Sequence, residues 1–389
     1  MRIIYLSLLT FLFIFETQIS FSQESSNSLW KNIPSSDLMN SAERIYSPDN
    51  FRSLRVDFNK LSAELLKAPL ESSVDSEKNF ILFQVPLPDG SFETFKVLES
   101  PVMHPDLAAQ FPFIKTYSAQ SLSNALVTAK LDITQWGFHA MIISPNGWSF
   151  IEPYSQGNVN DYISYYKKDS KSRAAFECDF EDELRNVQPV SGSSGPMLRT
   201  SGSELKTYRL ALAATGEYTT FHGGTVSGAL SAMNTSVNRV NGVYELEVAV
   251  RMVLVANTNL LIYTNSGTDP YTNGSGSTML GENITNVNTV IGSANYDIGH
   301  VFSTGGGGVA YLGSVCGGSK AGGVTGSSSP VGDNFDIDYV AHEMGHQFGG
   351  SHTFNSVTGS CGGGNRSATS AYEPGSGTTI MAYAGICGA

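Results

Sequence analysis

Between residues 80 and 150 the apolar residues fall in short strand-like runs separated by turn signals. Residues 80–85 and 92–98 flank Pro88-Asp89-Gly90 and predict one hairpin. Residues 125–150 predict a second, turning at Pro145-Asn146-Gly147. Few titratable groups here fall in suggestive clusters, and His104 and His139 read as isolated, structural or merely exposed side chains.

Beyond residue 204 strand and helix patterns follow one another. Residues 205–213 predict a strand with Tyr208, Leu210 and Leu212 on one face. Residues 226–243 place Val226, Leu230, Met233, Val237 and Val240 at helical spacing. The β-branched run 246–255 predicts a strand, 282–291 a short helix with Ile284, Val287 and Ile291 inward, and 298–302 a buried strand. The glycine-rich run 305–308 leads into 309–315, read as a further strand. It lacks the ending of a phosphate loop and reads as a flexible rim. Residues 329–333 are a loop, and Asp333 or Asn334 is expected to cap a helix that turns Ile337, Val340, Ala341 and Met344 to the sheet. Strand–helix–strand order implies right-handed crossovers and a largely parallel sheet.

With 389 residues the chain has length for two domains. Its 15% charged residues and 40 glycines suit a β-rich exported protein. A net charge of −12, with no basic run, excludes a nucleic-acid partner. Arg2, the apolar run 3–15 and the small residues Ser20 and Ser22 predict a secretory signal peptide over 1–22, hence an extracellular location. The run is too short for a membrane anchor, and no other stretch reaches eighteen apolar residues. Residues 188–203, rich in Ser, Gly and Pro, read as an exposed linker open to cleavage near Arg199. The expected division is therefore 1–22 signal peptide, 23–199 β-rich pro-segment and linker, and 200–389 catalytic domain. Of the four cysteines, Cys178 lies in the pro-segment; Cys316, Cys361 and Cys387 do not, and their pairing is open to sequence reasoning.

The chemistry concentrates in His342-Glu343-Met344-Gly345-His346-Gln347-Phe348-Gly349-Gly350-Ser351-His352. Two histidines four apart project from one helix face. Gly349 lets the helix stop and the chain turn, which returns His352 as a third nitrogen ligand. Three protein ligands leave one tetrahedral position open, the mark of a catalytic zinc. Glu343, next to the first ligand, can reach an activated water as general base.

This extended pattern, the methionine-bearing segment Thr379-Ile380-Met381-Ala382-Tyr383-Ala384-Gly385, and Gly308-Val309-Ala310-Tyr311-Leu312-Gly313 ahead of the helix resemble the metzincin zinc endopeptidases. Within them the likeness is to the reprolysin (adamalysin-like) branch and its secreted bacterial members, over roughly residues 205–389. Thr353 departs from the pattern, since typical reprolysins carry Asp after the third histidine. The resemblance implies an α+β zincin fold, a mixed, mostly parallel twisted sheet with an antiparallel edge strand and an active-site helix. It implies one catalytic zinc on His342, His346 and His352, Glu343 as base and acid, Met381 as an apolar floor, and Tyr383 as a loose zinc ligand, an oxyanion donor or a wall. Protein or peptide substrates would lie along Val309, Ala310, Tyr311, Leu312 and Gly313 as an added strand. Cys178 is a candidate zymogen switch, although its surroundings match no usual switch motif. The family also leaves room for calcium, for which the scattered Asp and Asn identify no site. Metzincin domains continue past the methionine turn, so more chain is expected beyond Ala389. Oligomeric state and cleavage preference are not legible. A zinc-binding adhesion module and a glycine-rich surface protein are the competing classes. A pure binder does not need Glu343, and a structural protein does not need the zinc motif.

Overall fold

The computed structural model describes residues 29–39, 44, 46–73, 78–170, 204–305, 307–383 and 387. The segments expected to be a signal peptide and a linker, and Cys178, lie outside the described residues. No helix among those described is long and apolar enough to cross a membrane.

The N-terminal half builds β1 (Trp30–Asn32), β2 (Arg52–Val56), α1 (Phe58–Leu65), β3 (Ile81–Pro86), β4 (Phe92–Glu99), α2 (Pro105–Gln110), β5 (Lys115–Ser121), β6 (Thr128–Thr134), β7 (Gly137–Ile143), β8 (Ser149–Pro153) and β9 (Asp161–Tyr166). These strands form one antiparallel sheet in the order β1-β2-β9-β8-β7-β6-β5-β4-β3. The predicted hairpin at 80–98 is β3–β4. The one expected over 125–150 is three strands, because the chain also reverses between Thr134 and Gly137, where φ is +118°. Alternate residues serve two cores: Ile151 and Tyr162 face Phe83, Phe138 and α1, whereas Phe150 and Ile163 face the C-terminal half.

That half contains β10 (Lys206–Ala214), α3 (Gly216–Phe221), α4 (Val226–Val248), β11 (Val250–Leu254), α5 (Gly276–Val290), β12 (Ile298–Ser303), β13 (Gly308–Ala310), β14 (Gly323–Gly326) and α6 (His342–Gln347). Its sheet runs β11-β10-β12-β14-β13, parallel except for β13, which pairs antiparallel with β14 at the edge. The mixed sheet with one reversed edge strand was expected; several boundaries were not. Residues 246–248 belong to α4, which ends where Ala249 turns left-handed at φ 52°. The helix expected over 282–291 starts at Gly276, with the Ser275 hydroxyl capping it. The strand expected over 309–315 stops at Ala310, since Gly313 (φ 65°) and Cys316 (φ 62°) cannot stay extended. The strand directly before the zinc-motif helix is β14, which is not the edge.

The helix itself opens as a π-helical stretch, Asn334–Ala341, and tightens into α6. Asp333 does not cap it through its side chain. Its carboxylate pairs instead with Lys167 of the N-terminal half at 2.6 Å.

Helix α4 lies between the two sheets. The Thr225 hydroxyl caps it, and from Gly228 to Tyr244 every residue except Ala232 is buried. Arg239, in its middle, pairs with Glu152 of β8 and with Asp336 of the π-helical stretch. His139 is not isolated: its Nδ1 lies 2.8 Å from Asp132, with Glu152 4.0 Å from Nε2. Burial would lower its pKa, yet the two carboxylates outweigh that and raise it. His104 caps α2. Lys130 meets Glu245 at 2.7 Å, the Trp136 indole donates to the Gly228 carbonyl at 2.9 Å, and residues 102–104 bond along the end of β11.

Candidate metal centre

His342 and His346 leave the same face of α6 one turn apart. A Schellman arrangement ends the helix: Gly349, at φ 95°, donates to the His346 carbonyl at 2.8 Å and Gly350 donates to the Gly345 carbonyl at 2.9 Å. The reversal brings His352 back against the other two. Their Nε2 atoms form a triangle of 3.0, 3.1 and 3.2 Å. Among the described residues this is the group of three or more His, Cys, Asp or Glu side chains able to hold a metal.

The other ring nitrogens fix the tautomers. His342 Nδ1 lies 2.6 Å from the Ile380 carbonyl, His346 Nδ1 2.7 Å from that of Gly350, and His352 Nδ1 2.6 Å from that of Asn365. A carbonyl only accepts, so each Nδ1 carries the proton and each Nε2 carries the lone pair. The short Nε2 separations are therefore contacts between acceptors. Tetrahedral zinc with Zn–N bonds of about 2.05 Å requires its nitrogens about 3.3 Å apart, so the donor set fits. Burial, and then the other imidazoles, push the His342 pKa down to about 3 and that of His346 well below its usual value. Both stay neutral, the state a ligand needs.

Glu343 is fully buried against β13. A Cβ on Gly308 would fall 2.1 Å from Glu343 Oε1, so glycine at that position makes the room for the carboxylate. Met381 lies under α6: a Cβ on Gly345 would fall 2.4 Å from its sulfur. Thr353 N donates to the Met381 carbonyl at 3.1 Å. Tyr383 is buried with its ring centroid 4.9 Å from that of His352 and 4.6 Å from that of Phe354. Of the five residues expected to receive substrate, Val309 and Ala310 are in the edge strand, and Tyr311 continues it by one bond to Gly322. Leu312 and Gly313 turn away, and Gly313 N donates to the His346 carbonyl. Cys361 pairs with Cys387, Cα atoms 5.2 Å apart, while Cys316 is exposed and outside any disulfide.

One buried network was not foreseen. Gln347 of α6 faces His300 Nδ1 on β12 at 2.8 Å and donates to the Gly299 carbonyl; His300 Nε2 meets the Thr325 hydroxyl of β14 at 2.8 Å. Burial pushes the His300 pKa down to about 4. The network ties the zinc-motif helix to two strands.

Residues 204–388 match the model of the M12B reprolysin-like metallopeptidase family. This region belongs to the reprolysin-like metallopeptidases. The chain thus carries a zinc metalloendopeptidase domain, a class in which a metal, typically zinc, is implied. No curated protein matches the chain. Among solved structures, metalloproteinase-II from Bacteroides fragilis aligns at 12% identity and a TM-score of 0.44, covering 77% of this chain and 87% of that one.

Proposed function

We propose that the protein is an exported zinc-dependent endopeptidase made as a zymogen, with His342, His346 and His352 holding one zinc and Glu343 moving the proton. The observation that carries this reading is the set of three Nε2 lone pairs aimed at one point by Nδ1–carbonyl bonds, with a buried carboxylate beside them. Zinc, when bound, supplies Lewis acidity that makes water nucleophilic near neutral pH and polarises a carbonyl. Glu343 takes the proton of the attacking water and passes it to the leaving amine. Its place against Gly308 puts it beside the edge strand along which an extended peptide can add. Met381 floors the site and Tyr383 walls it beside His352.

Export and latency rest on sequence: the signal-like residues 1–22, the cleavable segment before Arg199, and Cys178 as a candidate switch thiol. N-terminal sequencing of the mature protein tests the cleavage, and a start before about residue 170 refutes it. The catalytic reading is tested by zinc content and cleavage of an unstructured protein, with and without chelator. Activity indifferent to zinc removal overturns it.

A further inference from the structure

We infer that Glu373 is a positioning residue for the metal site, a carboxylate clamp that joins the segment after the third histidine to the segment carrying Ile380 and Met381. It rests on the reading of the three histidines as zinc ligands. Glu373 Oε1 accepts from the Thr353 hydroxyl at 2.5 Å and also from the Thr379 hydroxyl. Its Oε2 accepts from Thr378 N at 2.7 Å and Thr379 N at 3.2 Å. The main chain repeats the tie: Glu373 N donates to the Thr353 carbonyl at 2.9 Å, and Asn355 N donates to the Glu373 carbonyl at 2.9 Å.

Both ends of this clamp reach ligands. Thr353 follows His352 directly. Thr379 precedes Ile380, whose carbonyl takes the His342 Nδ1 proton at 2.6 Å. One carboxylate therefore sets the backbone behind the third ligand and the acceptor that orients the first. Sharp turns at Gly375 (φ 62°) and Gly377 (φ 70°) fold the intervening chain so that consecutive N–H groups converge on Oε2. A Cβ on Gly377 would lie 2.9 Å from that oxygen, so the turn is shaped around the carboxylate. Desolvation opposes ionisation of Glu373, but the bonds from Thr353, Thr378 and Thr379 outweigh it and hold its pKa down to about 2, so it is a charged acceptor at neutral pH. Thr353 occupies the position where typical reprolysins carry a carboxylate of their own. Here that hydroxyl is a donor, and the negative charge comes from a residue twenty positions on.

The test uses the full chain. Glu373→Gln keeps the shape but turns an amide toward donors. Zinc affinity of the metal-free protein, read by competition with a chromophoric chelator, is expected to fall about 10–100-fold, with kcat falling and KM for a peptide little changed. The d–d spectrum of the cobalt(II) form is expected to shift, which a loss of stability alone does not produce. Thr353 Oγ1 lies 3.3 Å from Thr379 Oγ1, so a carboxylate at 353 can reach the same hydroxyl. Thr353→Asp combined with Glu373→Thr is therefore expected to recover most of the zinc affinity. If Glu373→Gln fails to fold, Thr379→Val removes one donor and is expected to change affinity in the same direction by a smaller factor. Zinc affinity within twofold of wild type in Glu373→Gln, an unshifted cobalt spectrum, or no recovery in the double variant overturns the inference. If the unsubstituted protein itself takes up no zinc, it is the metal-site reading that fails.

Discussion

Gly308→Ala separates the proton-moving carboxylate from the metal it serves. Gly308 is not in the left-handed region, so the backbone accepts alanine, and the whole effect comes through one methyl group. Built on the present backbone, that Cβ falls 2.1 Å from Glu343 Oε1, 2.6 Å from Cδ and 2.8 Å from Cγ. Ordinary carbon–oxygen contact is about 3.4 Å, so carboxylate or strand must yield by about 1 Å. A displacement of that size in a reacting group costs about 100-fold in rate, or about 2.7 kcal/mol of transition-state stabilisation. The three imidazoles are untouched, and zinc content is expected to stay at one per chain. The assay is cleavage of a quenched fluorescent peptide by wild type, Gly308→Ala and Glu343→Ala, with zinc measured on the same samples. The variant is expected to keep metal and melting temperature while kcat falls. Activity within threefold of wild type would show that Glu343 does not depend on that space.

Glu343→Ala is expected to retain zinc and to lose 100-fold or more in kcat, while His352→Ala loses the zinc itself; a metal-replete His352→Ala would place the third ligand elsewhere. Arg239→Ala leaves Glu152 and Asp336 buried without their shared cation, and a loss of about 3–5 kcal/mol is expected in denaturant unfolding. Little change there would mean that the two carboxylates are protonated in the fold. For Glu373 the folded pKa lies below the usual 4.5, at about 2, so its stabilisation is present above about pH 4.5 and disappears as pH falls through about 2. The stability gap between the metal-free protein and its Glu373→Gln variant is therefore expected to close over that window, and a pH-independent gap would contradict the assigned bonds.

The metal motif was legible because its information is local. Five residues of helix, a glycine in the left-handed region and a third histidine are all written within little more than one turn and a reversal. The groups that orient those imidazoles were not, because they are backbone carbonyls of Gly350, Asn365 and Ile380, which carry no side-chain signature. Strand β14, Gly-Val-Thr-Gly, is too short and too glycine-rich to show alternation; only its neighbours make it a strand. The end of α4 misled for the opposite reason. Leu246, Val248 and Val250 look like strand residues, yet the helix persists until Ala249 breaks it. His139 seemed solitary because Asp132 and Glu152 reach it from other strands, and His300 drew no notice because Gln347 and Thr325 meet it only in the fold. Tertiary contact, which periodicity cannot register, accounts for these misses.

Helix α4 shows the two sheets different faces: Leu230, Met233, Val237 and Val240 line one side, while Gly228, Thr235, Asn238 and Gly242 meet Trp136, Asp132, Leu131 and Met141 of the nine-stranded sheet on the other. Lifting the nine-stranded sheet away would wet Met141, Phe150 and Ile163, strip Thr235 and Asn238 of their partners, and leave Arg239 with one carboxylate instead of two. A cut in the connecting segment is thus not the same event as parting of the two halves. The severed pieces are expected to travel as one particle until something else shields that helix.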